Sequence, residues 1–577
     1  MSSSIIPLLQ IQGLTISFNN KCVVGGDLSA SSGGVSFDIE RGQTIGLVGE
    51  SGSGKSLTAM SIINLLPYGA RRQGKILWHS ETEQTLEDLT QASPARLRNL
   101  RGRKIGCVFQ DPMSSLNPVL RVGQQIAEPL IHHFGFTPKQ ALQRALEACE
   151  EVRLSNFTKL INSYPHELSG GQLQRVMIAM ALVCDPVLLI ADEPTTALDA
   201  TTQRQIIELL FDIQQRKNMA MLFISHDLGV VRALAQKVIV MHQGVICEQG
   251  LTDLVMQNPR HSYTRNLFMC RPRIDQNPLR LPVIPIEDIN FKEQTHPHQD
   301  EIVALNQVGK ESALKSSHTS LLLEATYLSK IYSKNLGLFK KQSVIAVDKV
   351  SFKLHRGQTI GVVGESGSGK STLALMLMGL LEPSGGSILL EGVELYKQKG
   401  VAGREYRRRL QMVFQNPFAS LNPRFPILQT LLEPMRIHKI GSNFTDQKAM
   451  ALKMLDRVGL DSSALYKYPH EFSGGQRQRI AIARCLTLNP DVLILDEAVS
   501  ALDVSIQAQV LNLLKDLQDE LSLSYIFITH DLAVVNFMAD DVLVMKAGTV
   551  VEYSTVKNII HMPEHPYTKG LLEAVYT

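Results

Sequence analysis

A stretch of nine residues, VGESGSGKS, occurs twice in this chain, at Val48–Ser56 and again at Val363–Ser371. Each copy follows a short apolar run, Ile45–Gly49 in the first case and Ile360–Gly364 in the second. Glycines let successive backbone N–H groups curl around phosphate oxygens, and the positive N-terminus of the next helix points at them. The pattern G-x-x-x-x-G-K-S therefore predicts two nucleotide phosphate sites, whereas a single match could be only a glycine-rich turn.

The lysine of each loop, Lys55 or Lys370, would reach the β- and γ-phosphates, and the serine after it, Ser56 or Ser371, would hold Mg²⁺. The predicted phosphate-binding residues are Gly49, Glu50, Ser51, Gly52, Ser53, Gly54, Lys55 and Ser56, and Gly364, Glu365, Ser366, Gly367, Ser368, Gly369, Lys370, Ser371 and Thr372.

A pair of acidic residues ends a second apolar strand in each copy. VLLIADE ends in Asp192 and Glu193, and VLILDE ends in Asp496 and Glu497. The aspartate of each pair would bind Mg²⁺ directly or through water, and the glutamate beside the metal would polarise the attacking water as a general base. The alternative is that each pair only begins a loop. Its position at the end of an apolar strand, at a fixed distance from the phosphate loop, favours catalysis.

The elements that must position these groups are also present twice. ELSGGQLQR at 167–175 returns as EFSGGQRQR at 471–479, and ISHDLGVV at 224–231 returns as ITHDLAVV at 528–535. The copies are 315 residues apart at the loop lysines and 304 residues apart at these later motifs. A nearly constant offset indicates duplication of a whole domain, and buried strands followed by helices predict an α/β fold.

Between the copies, at roughly Pro272–Ser320, the sequence is rich in proline and polar residues and has no sustained period. Such a composition predicts a linker. We therefore predict a first domain at 1–271, a linker at 272–320 and a second domain at 321–577. A Gly/Ser-rich stretch at 25–34 is expected to be a flexible loop without an assigned function.

Composition argues against several classes of function. The net charge is only +3 and no dense Lys/Arg stripe is present, so nucleic-acid binding is not expected. The seven cysteines include no C-x-x-C pair, so neither zinc nor a disulfide framework is expected. The apolar run at Val176–Cys184 is far short of the roughly 20 residues that a membrane helix needs. With no signal peptide, the protein is expected to reach a membrane only by docking onto another protein.

The motifs LSGGQ at 168–172 and FSGGQ at 472–476 resemble the signature of ATP-binding-cassette (ABC) proteins, and the resemblance covers nearly the whole chain apart from the linker. It implies two RecA-like P-loop ATPase cores, each with an antiparallel β subdomain and a helical subdomain. It also implies that each signature contacts the γ-phosphate of ATP bound to the opposite domain, with exposed N–H groups at a helix N-terminus. The signature residues expected at ATP are Ser169, Gly170, Gly171, Gln172, Ser473, Gly474, Gly475 and Gln476.

The remaining ABC motifs occur in both halves. The resemblance implies Q-loop glutamines that sense the γ-phosphate and ligate Mg²⁺, D-loop aspartates at the interface, switch histidines that act in hydrolysis, and aromatic residues that stack on adenine. These are, in that order, Gln110 and Gln415, Asp199 and Asp503, His226 and His530, and Phe18 and Tyr332. Because neither half lacks a site residue, both composite sites are expected to hydrolyse ATP.

Two further patterns narrow the kind of cassette. DPMSSLNP at 111–118 and NPFASLNP at 416–423 resemble a motif found in the importers of dipeptides, oligopeptides, glutathione and nickel. PEHPYTKGLL at 563–572 matches the H-P-Y-T tail of the same family, whereas the first tail, PRHSYTRNLF, has Ser262 in place of proline. The resemblance implies two permease subunits and a periplasmic solute-binding protein as partners, and a peripheral location at the cytoplasmic face of the inner membrane.

Other functions remain open at this point. Nickel or another small solute could be the cargo, or the chain could be a tandem cassette that acts on ribosomes or DNA, although its linker contains no long charged helix. An exporter is less favoured because exporters usually fuse the membrane domain or lack the two tags. Cys247 and Cys270 are the only cysteines near the first tail and none follows Cys485, so no iron–sulfur cluster is expected.

Overall fold

The structure is a computed structural model that describes residues 6–19, 21–26, 33–80, 85–196, 198–283, 320–335, 341–398, 400–416, 420–500 and 502–574. Its contacts divide the chain into two compact units, of which the first ends at Phe268 and the second begins at Met269. The predicted linker beyond residue 283, most of the Gly/Ser-rich stretch and part of the NPFASLNP motif lie outside the described residues.

The first unit contains two β-sheets. Its strands are β1 (Leu9–Phe18), β2 (Lys21–Val24), β3 (Val35–Ile39), β4 (Thr44–Val48), β5 (Ala70–Ser80), β6 (Thr85–Asp88), β7 (Ile105–Val108), β8 (Leu188–Asp192), β9 (Ala220–Ile224), β10 (Lys237–His242) and β11 (Val245–Leu251). The larger sheet has the order β11-β10-β4-β9-β8-β7, and only β11 runs antiparallel to its neighbour. Strands β4, β8 and β9 are buried at every residue, which explains their unbroken apolar sequences.

The second sheet of this unit is antiparallel, in the order β2-β1-β5-β6, with β3 also paired to β1. The helices are α1 (Lys55–Ile62), α2 (Pro94–Leu100), α3 (Pro112–Ser115), α4 (Val122–Phe134), α5 (Pro138–Glu151), α6 (Phe157–Leu160), α7 (Gly170–Leu182), α8 (Ala200–Lys217), α9 (Leu228–Leu234), α10 (Thr252–Gln257) and α11 (Ser262–Met269), with a 3₁₀ turn at Pro165–Glu167. Helices α4, α5 and α7 pack together as a helical subdomain. The predicted fold class is confirmed for this half.

The second unit repeats this architecture, with a larger sheet in the order β17-β18-β19-β14-β20-β21 and an antiparallel sheet in the order β13-β12-β15-β16. Its strands are β12 (Leu321–Asn335), β13 (Lys341–His355), β14 (Thr359–Val363), β15 (Gly385–Leu390), β16 (Val393–Glu394), β17 (Leu410–Val413), β18 (Val492–Asp496), β19 (Ser524–Ile528), β20 (Asp541–Lys546) and β21 (Thr549–Thr555). Strand β14 lies between β19 and β20, as β4 lies between β9 and β10, so the domain duplication is visible in the topology.

The helices of the second unit are α12 (Lys370–Leu377), α13 (Gly400–Arg409), α14 (Ile427–Ile437), α15 (Phe444–Arg457), α16 (Gly474–Leu486), α17 (Val504–Leu521), α18 (Leu532–Met538), α19 (Val556–His561) and α20 (Pro566–Glu573), with 3₁₀ turns at Leu395–Lys397, Ser462–Tyr466 and Pro469–Glu471. Helices α14, α15 and α16 form its helical subdomain. Within the ranges that the structure describes, no helix is both long enough and apolar enough to cross a membrane.

One apolar core joins the two sheets within each unit. In the first unit, Ile11 and Ile76 of the antiparallel sheet share a buried cluster with Leu47, Leu188 and Leu222 of the parallel sheet. The second unit has the same arrangement, with Leu323, Ile388, Val362, Ile494 and Ile526. Full burial of one such aliphatic side chain stabilises a fold by about 1.5–3 kcal/mol. The phosphate loop follows one strand of the parallel sheet, β4 in the first unit and β14 in the second. The shared core therefore holds this loop in a fixed position relative to the antiparallel sheet.

A short segment near the start of the second unit, residues 273–281, packs on later helices of the same unit, and we call it the docked segment. Asn536, a nearly buried residue of α18, donates from Nδ2 to the backbone carbonyl oxygens of Arg273 at 3.1 Å, Ile274 at 3.0 Å and Gln276 at 3.2 Å. The side chain of Ile274 packs on a buried cluster that includes residues of α18. One carboxamide and one aliphatic side chain therefore fix the start of the docked segment.

The end of the docked segment is held by α17. The Arg280 guanidinium contacts carboxylate oxygens of Asp516 at 2.8 Å and Asp519 at 2.7 Å. Leu281 is buried, and its N–H and carbonyl groups both pair with the Asn512 side chain, at 2.9 and 2.8 Å. The docked segment therefore connects the helix that follows Asp503 with the helix that follows His530.

Replacing Asn536 by alanine is expected to lower the free energy of unfolding by about 1–3 kcal/mol, because three carbonyl groups of the docked segment lose their donor in a largely buried place. Thermal or urea unfolding of the full chain measures this loss. The matched control is Asn558→Ala on α19, where the exposed carboxamide donates to the Ser554 hydroxyl. Equal stability of the Asn536→Ala and Asn558→Ala variants would mean that the docked segment contributes nothing to the fold.

Candidate functional site

The first phosphate loop connects β4 with α1. Gly49 has a φ of 148°, and a Cβ at this position would lie 2.1 Å from the carbonyl oxygen of Met241. Gly54 caps α1 in the left-handed conformation, with a φ of 95°. In the second unit, Gly364 and Gly369 have φ values of 154° and 101°. The two loops therefore share one backbone shape that larger residues cannot adopt without displacing a neighbouring strand.

The loop lysines lie inside the curve of the loop. Lys55 donates from Nζ to the carbonyl oxygens of Gly49 and Glu50, both at 2.8 Å. Lys370 makes the equivalent bonds to Gly364 at 2.7 Å and to Glu365 at 2.8 Å. Both lysine side chains are nearly buried. This arrangement places a positive charge where the sequence predicts the β- and γ-phosphates.

Two of the three predicted magnesium ligands, the serine and the aspartate, lie side by side in each unit. The Ser56 hydroxyl donates to Asp192 Oδ1 at 3.1 Å, and Ser371 lies 3.4 Å from Asp496 Oδ1. Burial raises the pKa of both aspartates. A nearby divalent cation would act in the opposite direction and favour their ionised form. Hydroxyl and carboxylate oxygens are the ligands that Mg²⁺ prefers, so these residues fit the ion.

Within the described part of the chain, no group of three or more His, Cys, Asp or Glu side chains could hold a metal ion. A serine and one aspartate are too few ligands for Mg²⁺, so further oxygen ligands would be needed at each site.

The predicted base of the first unit, Glu193, is surrounded by hydrogen-bonding groups. Its Oε2 accepts from Gln110 Nε2 and from the Thr196 hydroxyl, both at 2.9 Å, and lies 3.4 Å from His226 Nδ1. Burial opposes ionisation, but the hydrogen bond and charge of His226 and the bond from Thr196 lower the pKa of Glu193 to about 2. The structure therefore brings together the predicted base, Q-loop glutamine and switch histidine.

The second unit has the same group of side chains with one difference. Gln415 Nε2 donates to Glu497 Oε2 at 2.6 Å, and His530 Nδ1 lies 3.6 Å from Glu497 Oε1. The hydrogen bond from His530 lowers the pKa of Glu497; burial opposes the charged form of His530, but its bond to Glu497 raises the pKa of the imidazole. Ser500 replaces Thr196, and its hydroxyl donates to the backbone carbonyl of Glu497. The carboxylate of Glu193 therefore accepts a hydrogen bond from the Thr196 hydroxyl, whereas the corresponding hydroxyl of the second unit donates to a backbone carbonyl.

Both glutamates have a backbone conformation that L-residues rarely adopt. Glu193 and Glu497 each have a φ of 47°. Each is held there because its N–H donates to a carbonyl of the next strand, Ile224 at 3.0 Å or Ile528 at 2.9 Å. A left-handed non-glycine residue costs of the order of 1–3 kcal/mol, and such strain often occurs at functional sites. In this conformation each carboxylate accepts a hydrogen bond from the Q-loop glutamine and lies near the switch histidine of its own unit.

The signature motifs form the N-termini of α7 and α16. The Ser169 hydroxyl accepts from the backbone N–H of Gln172 at 3.4 Å, and the Gln172 side chain accepts from the Ser169 N–H at 3.0 Å. A Cβ on Gly171 would lie 2.7 Å from the Thr202 side chain, so a glycine is needed between α7 and α8. The equivalent residues are Ser473, Gln476, Gly475 and Ile506. Each signature therefore presents an exposed helix N-terminus on its own unit.

The other predicted site residues have more ordinary surroundings. Asp199 caps α8 by accepting from the Thr202 N–H at 2.9 Å, and Asp503 occupies the N-cap of α17. Phe18 packs partly against the core of the first unit, whereas 43% of Tyr332 is exposed. The interface role of these aspartates and the adenine role of these aromatic residues stay predictions.

Two contacts at the site are missed by the sequence reasoning. The first is the hydrogen bond from the Thr196 hydroxyl to Glu193, although the position of Thr196 three residues after Glu193 could have indicated it. The second is a hydrogen bond from each phosphate loop to a tyrosine of the tail motif, Tyr263 or Tyr567. The H-P-Y-T pattern marks these tyrosines, but nothing in their spacing indicates a partner more than 200 residues away.

Family profiles match both halves. The profile described as ABC transporter matches residues 33–196 and 347–500, and the one described as oligopeptide/dipeptide transporter, C-terminal region, matches 247–296 and 551–577. The chain therefore belongs to the ABC transporter ATP-binding proteins, in the dipeptide/oligopeptide importer family, and it is an ATPase. This confirms the resemblance and the enzyme class that the sequence predicts.

Individual relatives extend this match to nearly the whole chain. A glutathione import ATP-binding protein, GsiA, of Salmonella paratyphi A is 41% identical over 98% of this chain and 89% of that protein. The GsiA of Escherichia coli K12 is 42% identical over 94% of this chain and 86% of that protein. Among solved structures, a dimeric bacterial ABC transporter cassette, MJ0796, is 25% identical over 41% of this chain and 99% of that chain, with a TM-score of 0.38.

Proposed function

We propose that this chain powers the import of glutathione or short peptides by hydrolysing ATP at two composite sites. The observation that carries the proposal is that each unit contains the same complete set of site residues, with the contacts described above. The set consists of a loop lysine, a serine–aspartate pair, a glutamate in the left-handed backbone conformation, a glutamine and a histidine. The relatives named as glutathione import proteins support this cargo, because they match nearly the whole chain.

The arrangement of side chains supports a specific role for each residue. Lys55 and Lys370 bind the β- and γ-phosphates, and Glu193 and Glu497 accept a proton from the attacking water. With pKa values held below the ordinary range, both glutamates are ionised at neutral pH, which is the protonation state that a base needs. Mg²⁺, held by the serine–aspartate pairs and by Gln110 and Gln415, would stabilise charge on the phosphates.

The two units are proposed to act as one enzyme. The exposed helix N-terminus at Ser473 would complete the phosphate loop of the first unit, and that at Ser169 would complete the loop of the second. ATP would then close the pair, and hydrolysis would open it. The helical subdomains would transmit this movement to two permease subunits, while a periplasmic solute-binding protein delivers the cargo. Fusion in one chain raises the effective concentration of each unit for the other.

The test is uptake of labelled solute by cells that lack this gene, restored with the native chain or with the Glu193→Gln, Glu497→Gln double variant. Labelled glutathione, dipeptides and longer peptides are compared, with Ni²⁺ as a further cargo. We expect glutathione or a peptide to enter only when the native chain is present. Normal uptake of glutathione and all peptides without the gene would overturn peptide import, and selective loss of Ni²⁺ uptake would assign the other cargo of this family.

A further inference from the structure

The H-P-Y-T tail of the second unit is fixed to strand β21 by one glutamate. Glu552 accepts hydrogen bonds from the backbone N–H groups of Glu564 at 3.0 Å and His565 at 3.1 Å, and from the Thr568 hydroxyl at 2.5 Å. His565 Nδ1 in turn accepts from the N–H of Tyr567 at 3.1 Å. The motif therefore builds a rigid turn at the start of α20, and this turn determines where the tyrosine ring lies.

The first unit builds the same turn in spite of its serine at the proline position. Glu248 accepts from the N–H groups of Arg260 at 2.9 Å and His261 at 3.1 Å. His261 Nδ1 accepts from the N–H of Tyr263 at 3.2 Å. Because two sequences that differ at this position form the same three hydrogen bonds from backbone N–H groups, the placement of the tyrosine is a property of the motif.

Each tyrosine hydroxyl reaches the phosphate loop of its own unit. Tyr567 Oη accepts from the backbone N–H of Glu365 at 3.0 Å, and Tyr263 Oη accepts from that of Glu50 at 3.3 Å. The N–H of Glu365 and the carbonyl of Gly364 belong to one peptide group. That carbonyl accepts from Lys370 Nζ at 2.7 Å. The tail tyrosine and the loop lysine therefore hold opposite ends of the same peptide group.

This peptide group would rotate easily without such support. It follows a glycine, which has the widest conformational freedom of any residue. Rotation would turn the Gly364 carbonyl away from Lys370 and release the ammonium group from its present position. A donor or acceptor that fixes the peptide in advance reduces the ordering that binding must impose.

We propose that Tyr263 and Tyr567 are positioning residues for ATP binding, and that the H-P-Y-T tail acts as a support for the phosphate loop. The tyrosine does not touch the nucleotide in this proposal; it orients the peptide that holds the loop lysine. The inference rests on the proposed assignment of Lys55 and Lys370 to the phosphates of ATP. It gives the tail motif a function within each cassette.

The test is the Tyr263→Phe, Tyr567→Phe double variant of the full chain, assayed for ATP hydrolysis and for binding of a fluorescent ATP analogue. Phenylalanine keeps the ring and its contacts with His242 and Lys546 but removes the hydroxyl. We expect the KM for ATP and the Kd for the analogue to rise about five-fold, as loss of one neutral hydrogen bond implies, with kcat changed less than two-fold. Because its bond is shorter, Tyr567→Phe alone should have the larger share.

The control variant is Tyr466→Phe, which removes the hydroxyl of an exposed tyrosine in the helical subdomain of the second unit. A merely structural role would lower the unfolding temperature and leave KM equal to that of this control, and this result would overturn the inference. The Lys55→Ala, Lys370→Ala variant separates the two proposals. If it binds the analogue as tightly as the native chain, the assignment of the site itself is wrong. If it loses binding while the tyrosine variant does not, only the tyrosine inference is wrong.

Discussion

Replacing Glu193 and Glu497 by glutamine together is expected to slow ATP hydrolysis by about 10²–10⁴-fold, the usual contribution of a general base. Glutamine has nearly the same shape as glutamate and can still accept the bonds now made by Gln110 and Gln415. It cannot take a proton from water at neutral pH. Phosphate release measures the loss, and retention of radiolabelled ATP shows that the site still forms.

The structure supplies a matched control for this experiment. Glu208 is an exposed glutamate of α8 that pairs with Arg204, so Glu208→Gln should leave hydrolysis unchanged. Each single variant tests one site. Hydrolysis at the native rate by the double variant would show that neither carboxylate is the base. Loss of bound ATP together with activity would show instead that the glutamates support the fold of the site.

Replacing Gly364 by alanine is expected to weaken ATP binding at the second phosphate loop at least ten-fold and to lower the free energy of unfolding by about 1–3 kcal/mol. The new Cβ would lie 2.2 Å from the carbonyl oxygen of Met545 and 2.8 Å from the hydroxyl of Ser368. One of these contacts is with the backbone of β20, which cannot move without disturbing the sheet. The loop must therefore shift, and with it the carbonyl that Lys370 contacts.

Analogue titration and thermal unfolding measure the two effects of Gly364→Ala. Gly385→Ala in β15 is the control, since a Cβ there would meet open space and the residue has no positive φ. Gly49→Ala should repeat the result in the first unit, where the corresponding distance is 2.1 Å. Native affinity in both loop variants would contradict the view that the loop shape is essential for phosphate binding.

The local parts of the site could be predicted from the sequence because each follows a buried strand. In parallel sheets the carboxyl ends of neighbouring strands meet at one edge. Since β4 and β8 are both neighbours of β9, Lys55, Asp192 and Glu193 had to lie near one another once the strands were recognised. The fold class followed from the same strands and from the ABC signature. Residue roles inside the site, including those of Asp199, Phe18 and Tyr332, still rest on the resemblance.

What the sequence could not indicate are contacts made by backbone groups over long distances. The bond from Glu365 to Tyr567 joins residues 202 positions apart, and no periodicity reports it. The docked segment is a second example, because it lies in the stretch at 272–320 whose proline-rich, polar composition predicts a linker. Four of the hydrogen bonds that hold it use its own carbonyl groups, which every residue has, and composition cannot reveal which carbonyls find a partner.

The docked segment also has a consequence for the order of events during synthesis. Asn536, which holds it, lies 260 residues beyond Gln276 in the chain. At roughly 5–20 residues per second, the ribosome makes this asparagine of the order of 10–50 seconds after the segment has been made. Ile274 and Leu281 must therefore wait for their binding surface while translation continues. In the growing chain, the earliest-made part of the second unit is one of the last to reach its place.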